Sequence, residues 1–221
     1  MCPIRSTHDK YNEAQYFFGM LLNHYHDPYE FQFNLNAFIQ AIRNITFMMQ
    51  AEVNKPEGFF SWYDRKRELM KADPKLLKFV EARNVLVKRS SLELESKFRS
   101  GVFRGRQLKL VIEYDLPPFT DSREALERAN EVTFDLFLDA EHSAIGEQAG
   151  VERTWIAAEL GSDEVAELCL HALNVMGALV AELHRLYGKE DQHEHISVDL
   201  DSFRVLLETD LDPTLFDKWG W

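Results

Sequence analysis

The chain has 221 residues, of which 45% are hydrophobic and 12% aromatic, and carries a formal net charge of -12 at pH 7. This composition supplies a sizeable core and excludes a disordered chain. A uniformly acidic protein would also repel nucleic-acid phosphate.

The charge is not uniform. Residues 1 to 109 hold 18 Lys and Arg against 12 Asp and Glu, whereas residues 110 to 221 hold 7 against 25. Only the first half can present a basic face, and the plainest reading is that the halves attract each other within the fold or across a dimer. Two cysteines, Cys2 and Cys169, are too few for a disulfide framework and read as free thiols. The start, "MCPIRSTHDK", lacks the apolar core of a signal peptide. The most apolar stretch, "CLHALNVMGALVAELHRL", is interrupted by His171, Asn174 and Glu182, so no membrane span is expected and a cytoplasmic protein is.

Four helices are expected before residue 90. The first, "DKYNEAQYFFGMLLNHYH", carries Tyr11, Ala14, Phe18, Leu21 and Tyr25 at steps of three and four. Asp27 and Pro28 end it and start the second helix, with Asp27 as cap, Pro28 in the first turn and Glu30 completing a capping box. In the second helix Phe31, Leu35, Phe38, Ile42, Ile45 and Met49 form an unbroken seam suited to bundle packing. Lys55-Pro56-Glu57-Gly58 breaks the pattern. "SWYDRKRELMKA" gives a third helix, and Asp73-Pro74 restarts a fourth containing "FVEARNVLVKR". There Leu76, Val80, Arg83 and Val87 share one stripe, which puts an arginine in an aliphatic slot.

Between 91 and 160 the period changes to two. "SLELESKF" and "RQLKLVIEY" read as paired strands, with the two glycines of "RSGVFRGR" supplying the turn. "REALERAN" reads as a short helix, "EVTFDLFLD" (131–139) as a strand or a continuation of that helix, and "ERTWIAAEL" as a further strand. From Ser162 the helical period returns, with Ser162 and Asp163 as capping groups. Val165, Leu168, Ala172, Val175, Met176, Leu179, Leu183 and Leu186 line a long helix ending at Gly188.

The expected fold is mainly α: an antiparallel helical bundle of residues 9–90 plus 162–188, with a small β-hairpin or sheet insertion at 91–161. Short C-terminal helices at 196–221 complete a single domain over 1–221.

Chemistry-bearing motifs are few. No Glu-x-x-His pair lies on a predicted helix, and His193 and His195 fall in a polar connector without fixed geometry, so no metal site is expected. The chain has no G-x-S-x-G, phosphate loop, C-x-x-C or H-E-x-x-H, and no cofactor is implied. Cys169, among Leu168, Leu170 and Ala172, should be buried and inert. His24 and His26 fit an ordinary role at a helix C-terminus.

What remains is Arg83-Asn84, followed about one and a half turns later by Lys88, Arg89 and Ser90. This pattern resembles the signature of the HEPN superfamily, helical bundles that are commonly dimeric. Its ribonuclease members carry an Arg, a polar residue after it, and a His four to six residues beyond. The resemblance covers residues 9–90 and the long late helix. Arg83 and Asn84 match the first two positions, while no histidine occupies the third. A second Arg-Asn pair stands at Arg43-Asn44.

The missing histidine matters because cleaving RNA needs a group that moves protons near neutral pH. Arg83, Asn84, Lys88 and Arg89 are suited instead to holding a phosphate or carboxylate. The expectation is a non-catalytic, HEPN-like binding protein, self-associating or engaging a protein, RNA or phosphate-bearing partner. Three alternatives stand beside it. Arg83 could form a buried ion pair with another helix, the protein could cleave RNA without metal using His24 or His26 as base, or an open strand edge could recruit a second subunit.

Overall fold

A computed structural model of the chain describes residues 2–89, 91–112, 117, 119–129, 140–190 and 195–211. Among these residues the chain forms eight helices and four strands. In order they are α1 (Arg5–Asn23), α2 (Pro28–Ala51), α3 (Phe59–Ala72), α4 (Pro74–Arg89), β1 (Leu94–Arg104), β2 (Gln107–Ile112), α5 (Ser122–Ala129) and α6 (Ala140–Ala144). There follow β3 (Glu147–Ala157), α7 (Val165–Leu186), α8 (Asp201–Arg204) and β4 (Val205–Leu207). The protein is therefore mainly helical, with a small antiparallel sheet. The expected segment at 131–139 lies outside the described residues, as do Ser90 and His193.

The backbone gathers into two compact units. One comprises Met1–Asn23, Glu30–Glu95 and Ile156–Val198; the other comprises His24–Tyr29, Ser96–Trp155 and Asp199–Trp221.

In the helical unit the three- and four-residue periodicity fixes which side chains are inside. Every seam residue of α2, from Phe31 through Leu35, Phe38, Ile42 and Ile45 to Met49, is buried, and so are Tyr11, Ala14, Phe18 and Leu21 of α1. α1 packs along α7, and α4 packs against α3, α7 and the 3-10 turn Ala158–Leu160. Gly177 makes the α1–α7 approach close: a Cβ there would lie 2.5 Å from the hydroxyl of buried Tyr11. By length and composition α7 could cross a membrane, yet most of it is buried within the unit.

Polar ties set the helix register. Glu182 of α7 accepts from Trp62 Nε1 at 3.0 Å and Lys66 Nζ at 2.6 Å. Asp73 accepts from the backbone of Lys75 (2.9 Å) and Leu76 (3.3 Å), capping α4, and its other oxygen meets His171 Nε2 at 2.7 Å. α7 is capped by Glu164, which accepts from Glu167 N at 2.9 Å, and not by Ser162 or Asp163; Asp163 pairs with Lys78 instead.

α4 departs from its expected face. Its buried stripe is Leu76, Phe79, Ala82 and Leu86, whereas Val80 is 39% and Val87 65% exposed. The row through 79 is wholly apolar, whereas the row through 80 carries Arg83, and the apolar row that buries more surface faces the core. Phe79 and Leu86 bury more than two valines can, and Ala82 lets the partner helix come near. Arg83 is thereby moved off the core stripe to its edge.

In the second unit the strand order is β2-β1-β3-β4, with β1–β2 and β3–β4 antiparallel. The ion pairs Arg99–Glu152 and Arg104–Glu147 run in opposite senses along β1 and β3, as an antiparallel register demands. Only one of the two glycines expected to turn does so. Arg104 pairs with Gln107 across Gly105 and Arg106, and Gly105 has φ +56, the requirement of a tight hairpin turn. Gly101 stays in β1, where the backbone of β2 crosses so closely that a Cβ would meet Leu110 O at 1.8 Å.

β4 corrects the expectation that the tail is wholly helical. Val205, Leu206 and Leu207 are buried and pair with Gly150–Glu152. Phe103 and Leu207 lean over Gly150, whose missing side chain makes room for both. β3 consequently starts at Glu147, well before the apolar run from which it is recognisable in sequence.

Candidate functional site

A cleft of about 480 Å³ opens in the helical unit between α2, α3 and α4, with Met176 of α7 in its lining. This falls in the size range of small-molecule sites. Ile39, Ile42 and Phe79 line it, and the partly exposed Phe47 (40%), Leu77 (43%) and Val80 (39%) complete its apolar lining. Its cations are Arg43, Arg67 and Lys71.

Arg43 differs from the other two. Arg67 pairs with Asp64 at 3.2 Å, and Lys71 with Glu68 at 2.9 Å, all on the exposed side of α3. Arg43 is half-buried, donates to Thr46 Oγ1 at 3.0 Å and lies 4.5 Å from the centroid of the Phe47 ring. Among the described residues no carboxylate pairs with it. The Thr46 bond and the Phe47 face fix its orientation, since a guanidinium is attracted to the negative face of an aromatic ring. Burial pushes the Tyr63 hydroxyl above its ordinary value, although Arg43 and Arg67 oppose that shift, so Tyr63 offers a neutral phenol to the same cleft.

The Arg83 group lies on α4. Arg83 is half-buried, and Asn84, Lys88 and Arg89 are exposed. No ion pair or hydrogen bond holds the Arg83 side chain among the described residues, so the buried ion pair weighed above is not found there. Lys88 and Arg89 occupy the last turn of α4, where cations meet the helix's negative pole.

His24 and His26 belong to the other unit and sit in a polar cluster. His24 Nδ1 lies 3.2 Å from Asp27 Oδ2, and the other oxygen of Asp27 accepts from Arg123. His26 Nδ1 lies 2.9 Å from Ser122 Oγ, and the Ser122 N–H donates to the His26 carbonyl at 3.3 Å. Ser122 is fully buried, whereas His26 is partly exposed. Burial, then the charges of Arg153 and Arg123, push His26 down to about 3. It is a neutral imidazole at physiological pH and a poor proton carrier.

Arg153, on β3, is only 1% exposed and gathers this cluster. It donates to the carbonyls of His26 (3.3 Å) and Thr120 and lies 4.8 Å from the Trp155 ring centroid and 5.5 Å from that of Phe98. Trp155 Nε1 in turn donates to the Tyr25 carbonyl at 2.8 Å. Burial lowers Arg153 to about 10, while Asp121, Tyr25 and Asp27 oppose that shift, so it stays charged. These bonds tie the His24–Tyr29 segment to the sheet; they are structural.

Two constellations had no sequence signal strong enough to find them. Arg43 stands beside Ile42 on the α2 seam, and that adjacency to a core row was its only trace. Cys2, His8 and His184 bring one ligand atom each within 4.8 Å of one another, although His184 is 182 residues from Cys2. Cys169, by contrast, is buried as expected, and burial raises its thiol well above the ordinary range. His195 is exposed.

The fold and cleft define a mainly helical protein with a small antiparallel sheet and an apolar site edged by cations. Residues 1–205 match the family model described as Bacteriophage lambda protein ea47, and the chain belongs to that family. It is 35% identical over 77 residues to "Protein ea47" of Escherichia phage lambda, a match covering 34% of this chain and 19% of the phage protein. The alignment thus spans about a fifth of that relative's length. No solved structure matches the chain.

Proposed function

We propose that the helical unit is a non-catalytic binding module for an amphipathic anion, its apolar part in the α2–α3–α4 cleft and its carboxylate or phosphate on Arg43. The observation that carries this is Arg43 itself: an oriented, half-buried guanidinium without a described carboxylate partner, lining an apolar cavity. Such a group is suited to a planar, bidentate anion. Arg67 and Lys71 add positive potential, since their own exposed pairs hold them only weakly. Helix order and the Arg83-Asn84 pair support an antiparallel, HEPN-like bundle for this unit, with Arg83, Lys88 and Arg89 as a second, solvent-facing cationic surface.

RNA cleavage is disfavoured by the absence of a histidine at 88 to 90 and by the neutral, serine-bound state of His26. Single-turnover incubation with unstructured RNA is expected to show no cleavage; cleavage lost on Arg83→Ala would reverse this reading. A second copy of the chain is the proposed macromolecular partner, supported by edge strand β2, where Leu110 and Val111 are 42% and 40% exposed. Light scattering at tens of micromolar tests it, a strictly monomeric mass counting against. The burial of α7 supports its role as a core helix.

Calorimetry with octyl phosphate, octanol and inorganic phosphate tests the ligand class. Octyl phosphate should bind at one site per chain and more tightly than either fragment, because chain and head are both recognised. Equal affinity for octanol would remove the anion from the proposal, and equal affinity for inorganic phosphate would remove the cleft.

A further inference from the structure

We infer that Cys2, His8 and His184 form a binding site for a thiophilic divalent cation, with Zn²⁺ the best fit. The three residues come from the segment preceding α1, the first turns of α1 and the last turn of α7. Cys2 Sγ lies 3.2 Å from His184 Nε2 and 3.8 Å from His8 Nδ1, and the ligand atoms all fall within 4.8 Å of one another. A zinc ion bound by thiolate at about 2.3 Å and imidazole at about 2.0 Å in tetrahedral geometry sets sulfur and nitrogen about 3.5 Å apart. The two observed sulfur–nitrogen separations straddle that value.

The surroundings hold the ligands in place. Ile4, two residues after Cys2, is fully buried and pins the start of the chain. The first turn of α1 is fastened by Glu52 at the end of α2, which accepts from Thr7 N at 2.8 Å and Thr7 Oγ1 at 2.9 Å. His184 is 5% exposed and rigid within α7, and the His8 and His184 rings meet edge to face at 5.4 Å. One thiolate and two imidazoles match the borderline-soft preference of zinc, and a carboxylate set for calcium or magnesium is not present in the group. Three protein ligands leave a fourth position for water. Binding exchanges the Cys2 thiol proton for the metal and releases it to solvent.

The competing explanation for the same distances is a thiol–imidazole hydrogen-bond network. Cobalt(II) titration of the metal-stripped full-length chain separates the two. One equivalent should give a thiolate-to-cobalt charge-transfer band and a tetrahedral visible spectrum, both abolished by stoichiometric Zn²⁺. Cys2→Ser should remove the charge-transfer band, and His8→Gln should weaken Zn²⁺ by at least ~10-fold, the loss produced even by outer-shell changes. These two side chains are partly exposed, so both variants should keep the wild-type circular dichroism spectrum; His184→Gln, in the core, is a third test only if it does the same. No charge-transfer band in the wild type, a band that survives Cys2→Ser, or unchanged Zn²⁺ affinity in His8→Gln would each overturn the site.

Discussion

The helical cleft and the polar cluster around Arg153 use the same side chain to opposite ends. Arg153 is almost completely enclosed, its guanidinium shared between two backbone carbonyls and two aromatic rings. Arg43 is half-buried and held by one hydroxyl and one ring, and no described carboxylate pairs with it. The buried cation completes the fold, because leaving it or its carbonyl partners unpaired would cost several kcal/mol. The oriented cation beside an apolar cavity costs the fold little and keeps hydrogen-bonding capacity for something else.

Substitution separates these roles, beginning with the largest effect. Arg153→Met keeps the length but strands the carbonyls of His26 and Thr120, and should lower stability in urea denaturation by about 3–5 kcal/mol. A loss below about 1 kcal/mol would mean that Arg153 does not hold the segment to the sheet.

Acid titration sharpens the same contrast. His26 is pushed to about 3 in the folded protein from 6.5. Between those values the unfolded chain takes up a proton that the native chain refuses. Its contribution is thus complete above about pH 6.5 and is lost as pH falls toward 3. At pH 5 the loss amounts to about 2 kcal/mol. His26→Gln should flatten the decline between pH 7 and 5; an unchanged slope would show that His26 titrates normally.

In the helical unit the effects should be small. Arg43→Met forfeits one hydrogen bond and should cost about 1 kcal/mol or less. Arg83→Met, at the edge of the α4 stripe, should stay within about 0.5 kcal/mol of wild type. A loss of several kcal/mol at Arg83 would restore the buried ion pair.

The legible part of this protein is what depends on neighbours in sequence. The α2 seam and the α1 face could be read residue by residue, because a helix repeats its contacts every three or four positions. α4 was legible as a helix, and its facing was legible too, since row 76–79–82–86 is wholly apolar whereas row 76–80–83–87 carries Arg83. Placing Arg83 in the core row followed from the second row, and the larger Phe79 and Leu86 decide for the first. β4 stayed hidden because three residues carry no periodicity. Its strand state comes from pairing with Gly150–Glu152 more than fifty residues away in sequence. For the same reason Cys2 and His184 could not be joined on paper, and Arg43-Asn44 looked no different from Arg83-Asn84 until α3 and α4 walled its cleft.

The comparison of those two Arg-Asn pairs is the sharpest test of the cleft. Octyl phosphate should be titrated into wild type, Arg43→Met and Arg83→Met under identical salt, with circular dichroism to verify the fold. Arg43→Met should bind at least ~10-fold more weakly, the loss of a charge-assisted hydrogen bond of about 1.5–3 kcal/mol, while Arg83→Met matches the wild type. Equal affinity in wild type and Arg43→Met, or a loss confined to Arg83→Met, would contradict the assignment of the anion to Arg43.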